Sequence, residues 1–213
     1  MKGKAISVVL VCALMILLVP LCASGQSFNK NFALKVGTYN PTGDLDDANF
    51  DPGLAVELTW SEMGSKNFSY EVGFGAYGTD MSRSDFVGGI GTVNQSADIL
   101  ITSLFGTLKY HVPFSVGDFY AGVGIDWLSA AVDYTISIPG DSLSYTDSDW
   151  FIFGGHLEAG LNFNLGERWF LGFEGKYLFT TDASFSDVDQ GVPWSTDRDL
   201  TGYFLFGQIG YRY

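Results

Sequence analysis

The sequence predicts an all-β fold, namely an eight-stranded antiparallel up-and-down transmembrane β-barrel. Eight segments alternate apolar and polar residues with period two, which is the pattern of strands with two different faces. The connections between the segments are short and long in turn, as in barrels with short periplasmic turns and long extracellular loops. One face of the segments is almost free of charge, while the other has acids and bases together. Together these three patterns favour a barrel that crosses a membrane.

The first 25 residues are predicted to be a secretory signal rather than part of the barrel. Lys2 and Lys4 precede an apolar run at 5–18, and small residues follow at 23–25. The run is shorter than the roughly 20 residues of a membrane-spanning helix. Removal of 1–25 leaves one barrel domain at 26–213, without Cys12 and Cys22 and therefore without disulfides. A lipid anchor on Cys22 and an uncleaved helix are the alternatives that the sequence leaves open.

The third segment shows the strand pattern most clearly. Phe68, Tyr70 and Val72 share one face, while Ser69 and Glu71 share the other. No segment keeps a helical period. The eight strands are predicted at 31–39, 53–62, 67–79, 99–112, 118–132, 150–165, 169–180 and 200–213.

The long connections at 40–52, 80–98, 133–149 and 181–199 hold most of the negative charge. They contain sixteen aspartates and two arginines, a net charge of −14. An even strand number places both termini in the periplasm and these connections outside the cell. Such acidity excludes nucleic acid as a partner. The densest aspartate group, at 44–51, lacks the spacing of a calcium loop, so no dedicated metal site or cofactor is predicted.

The phase of the alternation separates a membrane barrel from a soluble, lipocalin-like barrel with an apolar interior. Leu104, Leu108 and Tyr110 share an uncharged face, while Lys109 and His111 point the other way. Each charge facing lipid would cost roughly 2–4 kcal/mol near the midplane, so the charged face must line the lumen. The interior of eight strands holds only side chains, so these residues are expected to pair as a polar plug. The predicted plug contains Lys35, Glu57, Glu71, Lys109, His111, Asp126, His156, Glu158, Glu174, Lys176 and Arg212.

Uncharged residues occupy the inward positions nearest the extracellular end of the strands. This arrangement predicts an apolar cup that opens outward above the plug and accepts a small apolar molecule. Simple packing of the upper barrel is the alternative. The candidate ligand-binding residues are Tyr39, Tyr77, Ile101, Leu128, Ile152, Leu178 and Phe204, with Ala55 beside them.

A lipid-modifying enzyme is the catalytic alternative. It would need a nucleophile and a positioned base. His156 and Glu158 share a face, and Ser103 points inward from another strand. Because both histidines lie among the plug charges, the interpretation as hydrogen-bonded lumen residues is preferred and no catalytic residue is assigned.

The order of several short motifs resembles OmpW-type outer-membrane proteins over nearly the whole chain after the signal. These motifs are Val36-Gly37-Thr38-Tyr39 before Asn40-Pro41, residues 108–113, residues 119–125 and the ending Gly210-Tyr211-Arg212-Tyr213. The smaller OmpX and OmpA barrels share the architecture. The resemblance implies an outer-membrane barrel that passes small hydrophobic compounds. The alternating last strand, which ends on the aromatic Tyr213, resembles the signal that the barrel-assembly machinery reads.

Two functions follow from these patterns. The first is binding or uptake of small apolar molecules through the cup. The second is a structural or interaction barrel that displays acidic loops near lipid and lipopolysaccharide. The partners expected are therefore outer-membrane lipid, lipopolysaccharide, the assembly machinery and a small apolar ligand.

Overall fold

The computed structural model describes residues 29–88, 91–189 and 192–213. The predicted signal and its cleavage site lie outside these residues. The elements are β1 (Lys30–Pro41), a one-turn helix α1 (Asp44–Asp47), β2 (Gly53–Met63), β3 (Phe68–Val87), β4 (Gly91–Phe114), β5 (Gly117–Ile138), β6 (Asp141–Leu165), β7 (Trp169–Thr180), β8 (Ala183–Asp189), β9 (Val192–Arg198) and β10 (Gly202–Arg212).

Eight of these strands close into one antiparallel barrel in the order β1-β10-β7-β6-β5-β4-β3-β2. The first and last strands pair from Asn31–Arg212 to Pro41–Gly202, which closes the ring. The predicted fold class is confirmed, and every predicted strand falls within or close to an observed one. Among the described residues, no helix is long and apolar enough to span a membrane.

The outer face of the wall is apolar and the inner face is polar. On β4, Leu108 is 55% exposed and its neighbour Lys109 is 4% exposed. Aromatic pairs on the outer face lie near the turns, as with Trp60–Tyr70 and Trp169–Tyr211. This phase is that of a membrane barrel, because a soluble barrel would place its charges outside.

Two of the connections predicted as loops are strands in the structure. Residues 80–87 and 91–98 continue the β3–β4 hairpin, and residues 133–138 and 141–149 continue the β5–β6 hairpin, well past the end of the β2–β3 ladder at Tyr77. On β5, the polar residues Asp133, Thr135 and Ser137 alternate with the apolar residues Val132, Tyr134 and Ile136. Each aspartate of the two extensions has a cross-strand partner. The many aspartates led to the prediction of loops, although these strands continue beyond the membrane.

The extended hairpins form a four-stranded sheet, β3-β4-β5-β6, that stands above the barrel rim. On β3 it runs ten residues beyond Tyr77, which is about 33 Å of strand. A register shift between Leu128 and Ala130 marks its base on β5. We call the extracellular parts of these strands (78–87, 91–100, 129–138 and 141–150) the protruding sheet.

The other two long connections lie at the extracellular end of the barrel. Residues 43–50 contain α1, and residues 181–199 contain a separate β8–β9 hairpin. Backbone hydrogen bonds from Asp47 to Gly43 and from Phe50 to Leu45 close the turn around α1.

Candidate functional site

The centre of the lumen is a network of buried ion pairs. Lys35 Nζ lies 2.8 Å from Glu174, 3.2 Å from Glu71 and 3.6 Å from Glu57. These three glutamates come from β7, β3 and β2, so Lys35 on β1 joins strands that are not all neighbours. A lysine withdrawn from water needs such partners, because an unpaired buried charge is strongly destabilising.

Two further lysines complete the network. Lys109 Nζ lies 2.9 Å from Glu71 and 2.7 Å from Glu158. Lys176 Nζ lies 2.5 Å from Glu57 and also over the ring of Phe105, 3.9 Å from its centroid. The three lysines and four glutamates predicted to line the lumen are therefore all buried there and brought together.

His156 binds groups other than those suggested by its sequence neighbours. Its Nδ1 lies 2.5 Å from Asp126 Oδ2, and its Nε2 lies 2.9 Å from Thr107 Oγ1. Glu158 is farther, at 3.7 Å from Nε2. The structure thus forms an Asp–His–Thr relay instead of the imagined set with Ser103. Sequence reasoning missed Thr107, although it has the inward phase of its strand.

His111 has a similar arrangement near the periplasmic end. Its Nδ1 lies 2.8 Å from Asp118 Oδ2 and its Nε2 lies 2.8 Å from Ser69 Oγ. Asp118 is also 3.7 Å from Arg212 and accepts a hydrogen bond from Asn162. Sequence reasoning missed Asp118 and Ser69, whose only signal is again the inward phase.

Both relays contain the groups of a catalytic triad, but their hydroxyl groups are not accessible to a substrate. Ser69 and Thr107, the hydroxyl-bearing residues, are buried among lumen side chains. A nucleophile must approach its substrate closely, and in this structure both hydroxyls instead contact imidazoles within the plug.

Glycines on the inner face make room for the aromatic part of the plug. A Cβ on Gly73 would lie 2.3 Å from the ring of Phe105, and one on Gly210 would lie 2.1 Å from that of Phe170. Tyr120 uses similar space, donating a hydrogen bond to Glu174 and accepting one from Gln208. The lumen is therefore filled across its width.

The predicted ligand-binding residues form one apolar layer above the plug. Tyr39, Tyr77 and Phe204 pack together with ring centroids 4.8–5.0 Å apart. All seven residues and Ala55 are buried and belong to one cluster; the remaining four of the seven are Ile101, Leu128, Ile152 and Leu178.

A cap covers this layer, so the cup does not open outward as the sequence suggested. The cap consists of residues 43–50 and 199–201, and its Leu45 and Leu200 are buried in the same cluster as the layer. Tyr39 donates a hydrogen bond to the carbonyl of Leu200, 2.8 Å away. The signals for the cap in the sequence are Leu45 and Phe50, two apolar residues among aspartates.

The protruding sheet has a strongly acidic surface. It contains seven aspartates and one arginine, a net charge of −6. Asp80 lies directly opposite Asp98, and Asp98 lies opposite Asp133, so three strands place like charges side by side. Such neighbours repel, which favours binding of positive charge at this surface.

The outer edge of the protruding sheet on β3 has no strand partner among the described residues beyond Asp80. The last contact on that side is the bond from Asp51 N to Asp80 O. Backbone groups of alternate residues point the same way, so Ser82, Ser84 and Phe86 present N–H and C=O groups to the open edge. Phe86 is also 80% exposed.

Comparison with known proteins supports this architecture. The model of a family described as the outer membrane protein beta-barrel domain matches residues 9–211. The crystal structure of Neisserial surface protein A is similar, with 12% identity, coverage of 89% of this chain and 100% of that one, and a TM-score of 0.58. A major outer membrane protein of Thermus thermophilus has 13% identity, coverage of 86% and 99%, and a TM-score of 0.51. Comparison with curated proteins found no match.

At these identities the solved structures establish the fold alone. The matching family is the broad one of outer-membrane barrels, and the narrower resemblance to OmpW-type proteins stays a prediction.

Proposed function

Because this chain belongs to the outer membrane protein beta-barrel domain family and is an integral outer-membrane protein, we propose that it is a closed barrel that binds an extended, cationic partner segment at the cell surface. The observation that supports this proposal most is the protruding sheet with its open β3 edge. The filled lumen favours binding over conduction, since paired charges and rings occupy the space that water would need.

The open edge supplies the affinity of the proposed interaction. An added strand would hydrogen-bond to the outward backbone groups of Ser82, Ser84 and Phe86, as in other cases of strand addition. The net charge of −6 on the sheet selects a segment with lysine or arginine and speeds its encounter.

A proline at the edge tests the proposal directly. The probe is a fluorescent peptide of alternating lysine and threonine, titrated against the protein in nanodiscs by anisotropy. Ser84→Pro removes an outward N–H and leaves the bonds to β4 in place, so binding should weaken about tenfold. Ser84→Ala is the matched control, because it loses the same side-chain bond to Asn94 and keeps the N–H.

Two results would contradict edge binding. One is equal affinity of Ser84→Pro and Ser84→Ala for the lysine peptide. The other is equal affinity of the wild type for a peptide of alternating glutamate and threonine, which would show that charge does not select the partner.

A small apolar molecule held in the layer beneath the cap is the second candidate function. A specific observation favours it: the Tyr77 hydroxyl is buried in the layer without a hydrogen-bond partner among the described residues. Buried hydroxyls normally have a partner, and a ligand with one polar group would supply it.

Titration with an apolar fluorescent amine such as N-phenylnaphthylamine tests the second candidate. Leu128→Lys and Ile152→Lys place charges in the layer and should abolish saturable binding, while Ser142→Lys on the exposed sheet should not change it. Unchanged binding by both layer variants would remove this function and leave edge binding unaffected.

A further inference from the structure

The cap is held over the apolar layer next to a group of mutually repelling carboxylates. Its apolar attachments are Leu45 and Leu200, with Phe50 packed against the same cluster. Its polar attachments include Tyr39 Oη to the Leu200 carbonyl, and Thr42 N to the Thr201 carbonyl at 2.9 Å.

Among these carboxylates, that of Asp199 has the environment least favourable to a negative charge. Its backbone N–H donates to Asp44 Oδ2 at 3.2 Å, which holds the two residues close together. Its own Oδ1 is enclosed and has no hydrogen-bond partner within the part of the chain that the structure describes. An enclosed carboxylate oxygen without a donor is costly when charged and much less so when protonated.

Gly43 permits the close approach of the Asp199 carboxyl to α1. Gly43 has φ of 65°, and a Cβ there would lie 2.9 Å from both carboxylate oxygens of Asp199. The absence of a side chain is therefore what lets the Asp199 carboxyl fit beneath α1.

From these contacts we infer that the cap is a pH-sensitive lid, closed when Asp199 is protonated and loosened when Asp199 is charged. The groups around the Asp199 carboxyl are Asp44 in α1, Asp182 after β7, and the phenol of Tyr39 on β1. Its chain neighbour Arg198 is exposed. Acidic and neutral groups thus surround it, and opening the cap returns it to water.

Electrostatics at this extracellular position agree with the geometry. Burial raises the pKa of the Asp199 carboxyl above its ordinary value of 3.8, and the negative charges of Asp44 and Asp182 act in the same direction. The backbone N–H groups of Thr201 and Asp44 lower this pKa without cancelling the rise. An acid whose pKa is raised in the closed form stabilises that form below its ordinary pKa. This stabilisation is lost as pH rises through the raised pKa.

The lid regulates access to the layer proposed as the second function, but its test needs no ligand. Cys12 and Cys22 are replaced by serine, and Leu178→Cys introduces one thiol beneath the cap. Its rate of modification by a small methanethiosulfonate reagent is divided by that of Ser142→Cys, an exposed position that reports thiol chemistry alone. Ala183→Cys, buried in the same cluster, replaces Leu178→Cys if that variant does not fold.

The normalised rate should rise between about pH 4 and about pH 8, by about tenfold for each unit separating the Asp199 pKa of the closed and open forms. Asp199→Asn should keep it low and independent of pH. Asp46→Asn, which removes an exposed acid from α1, should keep the wild-type pH dependence. A flat wild-type profile, or an Asp199→Asn profile that rises like the wild type, would overturn the inference. If N-phenylnaphthylamine fails to bind while the thiol rates behave as expected, the second candidate function is contradicted and the lid is not.

Discussion

At the residue scale, Lys35 stabilises the buried negative charges of the lumen. Lys35→Met would leave Glu57, Glu71 and Glu174 without one of their cations, and breaking such a buried pair costs about 3–5 kcal/mol. We expect the free energy of unfolding, measured by urea titration in lipid vesicles with tryptophan fluorescence, to fall by that amount.

Lys30→Met is the matched control for the change at Lys35. Lys30 lies on the same strand and pairs with Glu62 at 3.9 Å, with 42% of its side chain exposed. Exposed pairs contribute about 0–1 kcal/mol, so this variant should unfold almost as the wild type does. Equal losses at the two positions would mean that the central network does not stabilise the barrel.

At the scale of the element, β4 runs from the lipid bilayer into the extracellular protruding sheet. On β4, Leu108 faces lipid and Ser96 lies on the protruding sheet. Leu104, four residues farther from the periplasmic turn, faces lipid as well. Leu104→Arg should lower the free energy of unfolding in vesicles by about 2–4 kcal/mol, and Ser96→Arg by less than about 1 kcal/mol. Equal effects would place the boundary of the membrane elsewhere on this strand.

The same strand shows how far the sequence could predict the elements. Residues 99–112 were predictable because Leu104, Leu108 and Tyr110 alternate with polar residues against a uniform lipid phase. Residues 91–98 were predicted as loop because water bathes one face and the apolar signal weakens there. Their strand structure depends on the partners at 80–87 and 133–137, which a local pattern does not contain.

At the scale of the whole molecule, the inward phase of the lumen residues was predictable and their pairing was not. The phase follows from alternation along each strand. The Lys35–Glu174 pair follows from closure of the ring, and the Asp126–His156 pair follows from the register of the β5–β6 hairpin. The cap was missed for the same reason, since Leu45 and Leu200 meet only when residues far apart in the chain cover the mouth.

Closure of the ring by β1 and β10 also constrains how the protein is made. Lys35 is synthesised early, and its partner Glu174 lies 139 residues later. Until the last strands arrive, the nascent polypeptide exposes unneutralised lysines and glutamates together with an uncovered lipid face. Contacts so distant in sequence form slowly and late in folding. A truncated chain that ends before β7 therefore lacks the ion-pair partner it needs as well as the strand that completes its wall, and biogenesis of this barrel is close to all-or-none.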